Sequence, residues 1–167
     1  MPSFLIHNKG EMEMAIVLSV NEKDYEGKIS FKFNALANEK YSETDKEGNQ
    51  VDGFKKIYGG LLDGDASYLI AFFDCAFAHL KDRPSLEQIE TALDKYVEVD
   101  KLDDVFASAF VAFDQSGFFK RRIKNFWKEY GMLEKMGGDE KEQKQFSAAY
   151  KLQVEKREEY YGKSKKK

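Results

Sequence analysis

The residues most capable of chemistry are few. His7 and His79 are the two histidines of the 167-residue chain, and Cys75 is its single cysteine. Cys75 and His79 stand four apart, which places both on one face of a helix, where they would offer two ligands to zinc. No further cysteine exists to complete such a site, and His7 is distant in sequence. The pair is equally poor as nucleophile and base. The surrounding run DASYLIAFFDCAFAHL is apolar, so Cys75 reads as a small buried hydrophobe rather than an activated thiolate. The stretch GGLLDGD, residues 59–65, combines glycines with carboxylates. It lacks the Lys-Ser/Thr of a phosphate loop and the ligand series of a calcium loop. Asp65 is better used as the cap of a helix starting at Ala66, and Asp103 and Asp104 as first-turn carboxylates favoured by the helix dipole. No catalytic, cofactor-binding or metal-ligating residue is nominated, and the expectation is a protein that is not an enzyme and needs no cofactor.

Charge is the remaining chemical signal. The chain is mildly acidic, at net -3, so it is not a simple polycation. The charge is nevertheless segregated. Residues 117–136 hold six basic and two acidic side chains, and residues 82–104 hold eight acidic and three basic ones. The run Lys120, Arg121, Arg122, Lys124 raises nucleic-acid binding, but its aromatic neighbours recur at helical spacing, which favours packing over base stacking. Opposite blocks in one small chain suit self-association or a charged protein partner equally well, and a solvated helix face stays open as a third reading.

The elements that would carry these groups follow from periodicity. A composition 42% hydrophobic and 34% charged describes a folded, helix-rich, soluble chain. Pro2 and Pro84 are the two prolines, so long helices are allowed almost everywhere. No run reaches the ~18 apolar residues of a membrane span, and the start lacks the basic-then-apolar pattern of a leader; the expected location is intracellular. Glu11–Val20 and Lys28–Asn34 alternate and predict a β-hairpin, with Asn21–Gly27 as the turn and Ile29, Phe31 and Phe33 on one covered face. A short helix capped by Asn34 is predicted next. Thr44–Gly60, with four glycines, reads as a loop ending in a helical turn. Leu69, Phe72, Phe73, Ala76, Phe77, Leu80 and then Leu102, Val105, Phe106, Ala109, Phe110, Phe113 each repeat at i, i+3, i+4, i+7, i+8, i+11, which makes two wide buried stripes. Between them Pro84, Ser85 and Gln88 mark a helix start with a capping box. A further helix carries Phe119, Ile123, Phe126, Trp127 and Tyr130 on one side, with Gly131 as C-cap. Gly137-Gly138 is the candidate hinge. The last helix has only a thin stripe, Phe146, Tyr150, Val154 and Tyr161, too narrow to hold it firmly to a core. The predicted architecture is α+β and mostly α: a small N-terminal β-hairpin or sheet packed on a helical bundle, with a charged C-terminal helix. The expected division is residues 1–137 as one domain and 138–167 as a charged helical extension and basic tail.

Several of these pieces, in order, resemble a known family. GKISFKFNALANEKY, then GGLLDGDASYLIAFFDCAFAHLKDRPSLEQIETALDK, then EVDKLDDVFASAF and DQSGFFKRRIK, together roughly residues 12 to 125, resemble the tail assembly chaperones of long-tailed phages and prophages of Gram-positive bacteria. The resemblance implies a non-enzymatic protein that binds the tape measure protein, keeps it soluble and helps recruit tail tube subunits. It implies action in the host bacterial cytoplasm and absence from the mature virion. It also implies a second, frameshifted form in some members.

A protein that coats a helical client needs exposed apolar stripes rimmed by charge. The candidate partner-binding residues are therefore Phe118, Phe119, Lys120, Arg121, Arg122, Ile123, Phe126, Trp127 and Tyr130. The Thr44–Tyr58 loop is a second candidate, for contact between protomers. The alternative function is a nucleic-acid-associated phage or bacterial regulatory protein using the 120–128 helix face and the lysine tail.

Overall fold

Asn21 and Glu22 begin the fold. Both have positive φ, 51° and 64°, the geometry of a two-residue type I′ turn whose twist matches paired strands. The turn joins β2 (Glu13–Val20) to β3 (Lys23–Gly27), with Val20 opposite Lys23 and Ile16 opposite Gly27. A further strand, β1 (Phe4–Lys9), pairs antiparallel with the other edge of β2, so the sheet has three strands in the order β1-β2-β3. The computed structural model describes residues 4–9, 13–136 and 138–165. Glu11 and Met12 of the predicted first strand, Gly137 of the predicted hinge and Lys166–Lys167 of the basic tail lie outside the described residues.

The second strand of the predicted hairpin is placed differently. Lys23–Gly27, read from sequence as turn, is the strand, and Phe31–Tyr41 is helix α1 with Ser30 as N-cap rather than Asn34. The reason is tertiary. In a strand Ile29, Phe31 and Phe33 would share one face. In the helix Phe33 and Ala37 point inward together and are fully buried, while Phe31 stands 82% exposed. Burying Phe33 among Phe72, Phe113 and Phe119, with ring centroids 5.3–5.8 Å away, gains about 1.5–3 kcal/mol over leaving it in water. That outweighs a local alternation of three residues.

The predicted 44–60 loop is also only partly a loop. Its first part closes as a miniature hairpin of β4 (Glu43–Thr44) and β5 (Gln50–Val51), with Asp45 accepting from the backbone N–H of Glu47 and Asn49. Its second part is α2 (Gly53–Leu62), capped by Asp52, whose side chain accepts from Lys55 N. Phe54, Ile57 and Tyr58 are buried, so the candidate protomer-contact loop ends in core. Gly48, at φ 84°, turns the miniature hairpin, whereas Gly53 serves close approach. A Cβ at Gly53 would fall 2.0 Å from the Ala37 carbonyl oxygen, so α1 and α2 touch backbone to backbone there.

The remaining helices follow the sequence reading closely. They are α3 (Ala66–Ala76), α4 (Leu86–Glu98), α5 (Leu102–Asp114), α6 (Lys120–Met136) and α7 (Glu140–Lys165). α3 stops short of the predicted Leu80, so His79 lies in the turn beyond it and not on one helix face with Cys75. Asp65 caps α3 by accepting from Ser67 N, and Ser85 with Gln88 forms the full capping box of α4. α6 runs straight through Gly131, so that residue is not its C-cap. The two apolar stripes of α3 and α5 face each other across the core, with Phe72 and Phe113 5.7 Å apart. Ile16, Leu18 and Val20 of β2 close the core, and β2 packs on α4 and α5. Asp74 of α3 is 2% exposed, and Lys40, Tyr41 and Arg83 surround its carboxylate at 2.7, 2.9 and 3.6 Å. A buried carboxylate is tolerated when it is paired and hydrogen-bonded in this way. No helix among the described residues is long and apolar enough to cross a membrane.

Candidate functional site

The nine candidate residues at the α5–α6 corner divide by burial. Phe119 and Ile123 are core, 1% and 4% exposed, with Phe119 packed on Phe33, Phe54 and Phe113. Arg122 turns inward, pairs with Asp52 and lies over the Phe54 ring. It therefore fastens α6 to the start of α2 and breaks the continuity of the basic face. Phe126, Trp127 and Tyr130 are half-buried and mutually packed, and Trp127 donates through Nε1 to the Tyr58 hydroxyl at 2.7 Å. Phe118, Lys120 and Arg121 remain at the surface.

Phe118 is not alone there. Its ring meets Phe31 edge to face with centroids 4.9 Å apart. Phe31 comes from the first turn of α1, 31 through 118 being brought together only by the tertiary fold. Phe118 borders a cleft of about 290 Å³ also lined by Ala15, Ile29, His79, Ala112 and Ser116. His79 Nε2 shares a hydrogen bond with the Glu26 carbonyl at 2.9 Å, so the imidazole is anchored at the cleft wall. Lys32, Lys120 and Arg121 lie within three residues of Phe31 or Phe118 in sequence, and Lys28 lines the cleft with Phe118. All four are exposed, and among the described residues none is in an ion pair. Two buried hydroxyls nearby in sequence, Ser30 Oγ and Ser116 Oγ, have no hydrogen-bond partner among the described residues. Two adjacent exposed aromatics with a cationic rim form a surface that offers apolar contact and attracts acidic side chains. Sequence reasoning included Phe118 and missed Phe31, because a strand reading puts Phe31 inside. The helix-compatible stretch ALANEK after it was the available signal.

A second polar constellation lies on the opposite side of α5. Asp114 has a side chain 1% exposed. Its Oδ1 accepts from the Tyr58 hydroxyl at 2.5 Å. Its Oδ2 accepts from Arg157 Nε and Nη2 at 3.1 and 3.0 Å and from the Tyr161 hydroxyl. Burial, and then the Asp114 charge, push the Tyr58 phenol well above its ordinary pKa. Burial is the largest single influence on Arg157 and lowers its pKa, but the Asp114 charge and hydrogen bond, with Tyr58 and Tyr161, together outweigh it and the net direction is upward. The last helix is thus held more firmly than its thin apolar stripe suggests, because tyrosine hydroxyls and an arginine extend that stripe with polar anchors.

Cys75 and His79 do not form a pair for chemistry. Cys75 is fully buried and its thiol is pushed far up by burial and by the adjacent Asp74 charge. Among the described residues no three His, Cys, Asp or Glu side chains gather as a metal site.

A family model described as phage tail assembly chaperone protein, TAC, matches residues 17–128. No curated protein and no solved structure matches the chain. The matched segment runs from β2 into α6 and contains the Phe31–Phe118 pair together with the floor on which α7 rests.

Proposed function

The chain belongs to the phage tail assembly chaperone family, a family of non-enzymatic assembly helpers, and from that premise we propose that it binds the tape measure protein, keeps it soluble and helps recruit tail tube subunits. The site is the host cytoplasm during tail construction, and the mature virion lacks the protein. The observation that carries this reading is the Phe31–Phe118 pair with its basic rim. A long helical client exposes apolar stripes flanked by charge. Two adjacent aromatic rings anchor such a stripe, and Lys28, Lys32, Lys120 and Arg121 steer its acidic residues and fix its orientation.

Self-association fits the same surface. α4 and the turn that follows it carry Val97 and Val99, 55% and 40% exposed, among exposed Glu90, Asp94, Glu98 and Asp100. This acidic, partly apolar face complements the basic aromatic one, so copies can contact head to tail. A sedimentation mass that stays monomeric at low salt and high concentration would remove this part of the proposal.

The decisive experiment is co-expression with a tape measure protein. Phe31→Ser with Phe118→Ser is the variant of choice because both rings are at the surface. Phe126 and Trp127 are unsuitable because their rings also hold α6 to Tyr58. The expected result is a double variant with an unchanged melting temperature that leaves the tape measure protein insoluble. Undiminished solubilisation by the folded variant would show that the pair is not the client surface.

A further inference from the structure

α7 is 26 residues long and has no fully buried residue, yet it lies across a groove built from α2, α5 and α6. We propose that this groove is a helix-binding site, that α7 is its occupant in cis, and that a partner helix of the same chemistry displaces α7. That chemistry is an arginine followed at +3 and +4 by tyrosines on an otherwise polar helix, as in Arg157, Tyr160 and Tyr161.

The groove specifies its occupant through Asp114. The body supplies this buried carboxylate with a neutral hydroxyl, Tyr58. Its only cation among the described residues is Arg157 of α7. A buried carboxylate without a counter-charge is strongly unfavourable, so any helix that covers Asp114 must bring a cation to that point. The flanking contacts are equally defined. The Arg157 guanidinium lies 4.9 Å from the centre of the Trp127 ring. The Tyr160 ring lies 5.1 Å from Phe110, and its hydroxyl donates to the Leu61 carbonyl at 2.6 Å. Leu61 is in the last turn of α2, and its carbonyl already accepts from Gly64 N at 3.1 Å, so the tyrosine hydroxyl uses the oxygen's remaining acceptor capacity. The guanidinium is met by Asp114 and Trp127, the Tyr160 ring by Phe110 and its hydroxyl by the Leu61 carbonyl.

The hold is also releasable. The anchors cluster near the C-terminal end of α7. Toward its other end Phe146 and Leu152 remain 40% and 51% exposed, and Tyr150 makes only ring contacts, with Trp127 and Tyr130. A cleft of about 190 Å³ persists between α7 and the body beside Phe106 and Tyr160. The Phe33, Phe54, Phe72 and Phe113 cluster is complete without α7. The floor residues Tyr58, Leu61, Phe110, Asp114 and Trp127 all lie within the family-matched segment 17–128, and all of α7 lies outside it. The site therefore belongs to the shared body and the strap does not.

The groove and its strap stand independently of the client; only the identification of the displacing helix with the tape measure protein rests on the function proposed above. The test uses the full chain, its Arg157→Ala variant and its Arg157→Lys variant, with a fluorescent synthetic peptide of residues 140–165 as probe. Freeing the groove raises the apparent affinity in proportion to the fraction left open. The expected result is that Arg157→Ala binds the peptide about tenfold or more tightly than the unaltered chain, with Arg157→Lys between them. Amide exchange in α7 should rise in the Ala variant while α3 and α5 keep their protection. Loss of protection in α5 together with α7 would overturn the proposal, because α7 would then be part of one cooperative core. Loosening of α7 without a gain in peptide binding, or no loosening at all, would overturn it equally. Failure of tape measure helices to compete with a peptide that does bind would count against the proposed client and leave the groove intact.

Discussion

Replacing Asp114 by Asn keeps the side-chain shape and removes the charge at the one point where α2, α5, α6 and α7 meet. In the native chain the carboxylate accepts from three partners, Tyr58, Arg157 and Tyr161. An amide offers a single acceptor oxygen and places an N–H₂ donor where the other oxygen stood. If the oxygen faces Arg157, the amide nitrogen meets the Tyr58 hydroxyl, which already accepts from Trp127, and the Tyr58 proton loses its acceptor. A hydrogen bond to a charged group contributes about 1.5–3 kcal/mol. The lost ion pair adds less than a fully buried one, because the Arg157 side chain is 35% exposed and can turn toward water. The expected destabilisation is about 3 kcal/mol, below the top of the ~3–5 kcal/mol range for breaking a fully buried pair. For a chain of this size that lowers the melting temperature by roughly 6–12 °C. Urea unfolding followed by circular dichroism measures the loss directly. A double-mutant cycle with Arg157→Met then isolates the pair, and the expected coupling is about 1–2 kcal/mol. Additivity within ~0.5 kcal/mol would refute the reasoning, since Asp114 and Arg157 would then be neighbours without mutual stabilisation.

Two further perturbations test other parts of the structure. Glu22 sits at φ 64°, where an L-residue costs about 1–2 kcal/mol; Glu22→Gly should raise stability by about 0.5–1 kcal/mol in urea unfolding, after the larger chain entropy of glycine is subtracted, and a loss would contradict the type I′ turn. Burial, then the nearby Asp103, Glu159 and Asp63 charges, hold the Tyr160 hydroxyl up to about 12 against an ordinary 10.0. Below pH about 10 both folded and unfolded chains keep that proton, and above it the unfolded chain loses it first, so stability should fall as pH rises from about 10 to 12; tyrosinate absorbance recorded with circular dichroism checks this, and Tyr160→Phe should flatten the fall.

How legible each part was depends on the range of the interaction behind it. Ser85, Gln88 and Asp65 were readable because a helix cap is completed within three residues. The α3 and α5 stripes were readable because a wide apolar face at helical spacing has one inexpensive use, burial against another such face. Phe31–Tyr41 misled because its alternation is three residues long and a strand and a helix both accommodate it; the Phe33 cavity made the choice. Gly53 misled because local sequence cannot distinguish a glycine that turns the chain from one that lets the backbone of Ala37 approach.

The functional surfaces divide in the same way. Sequence alone was sufficient for the absence of a nominated catalytic constellation, the segregation of acidic and basic blocks, and the ordered landmarks now matched to the chaperone family over residues 17–128. The choice of which aromatics stay outside belonged to the tertiary structure. Phe119 and Phe118 are adjacent in sequence, yet one fills the core and the other meets Phe31 at the surface. Asp114 and Arg157, 43 residues apart, read as unremarkable charges until the fold removes water from one and brings the other to it. Local patterns record propensity and periodicity, whereas burial and charge pairing are settled by elements distant in the chain, and here those distant contacts decide what surface a partner meets.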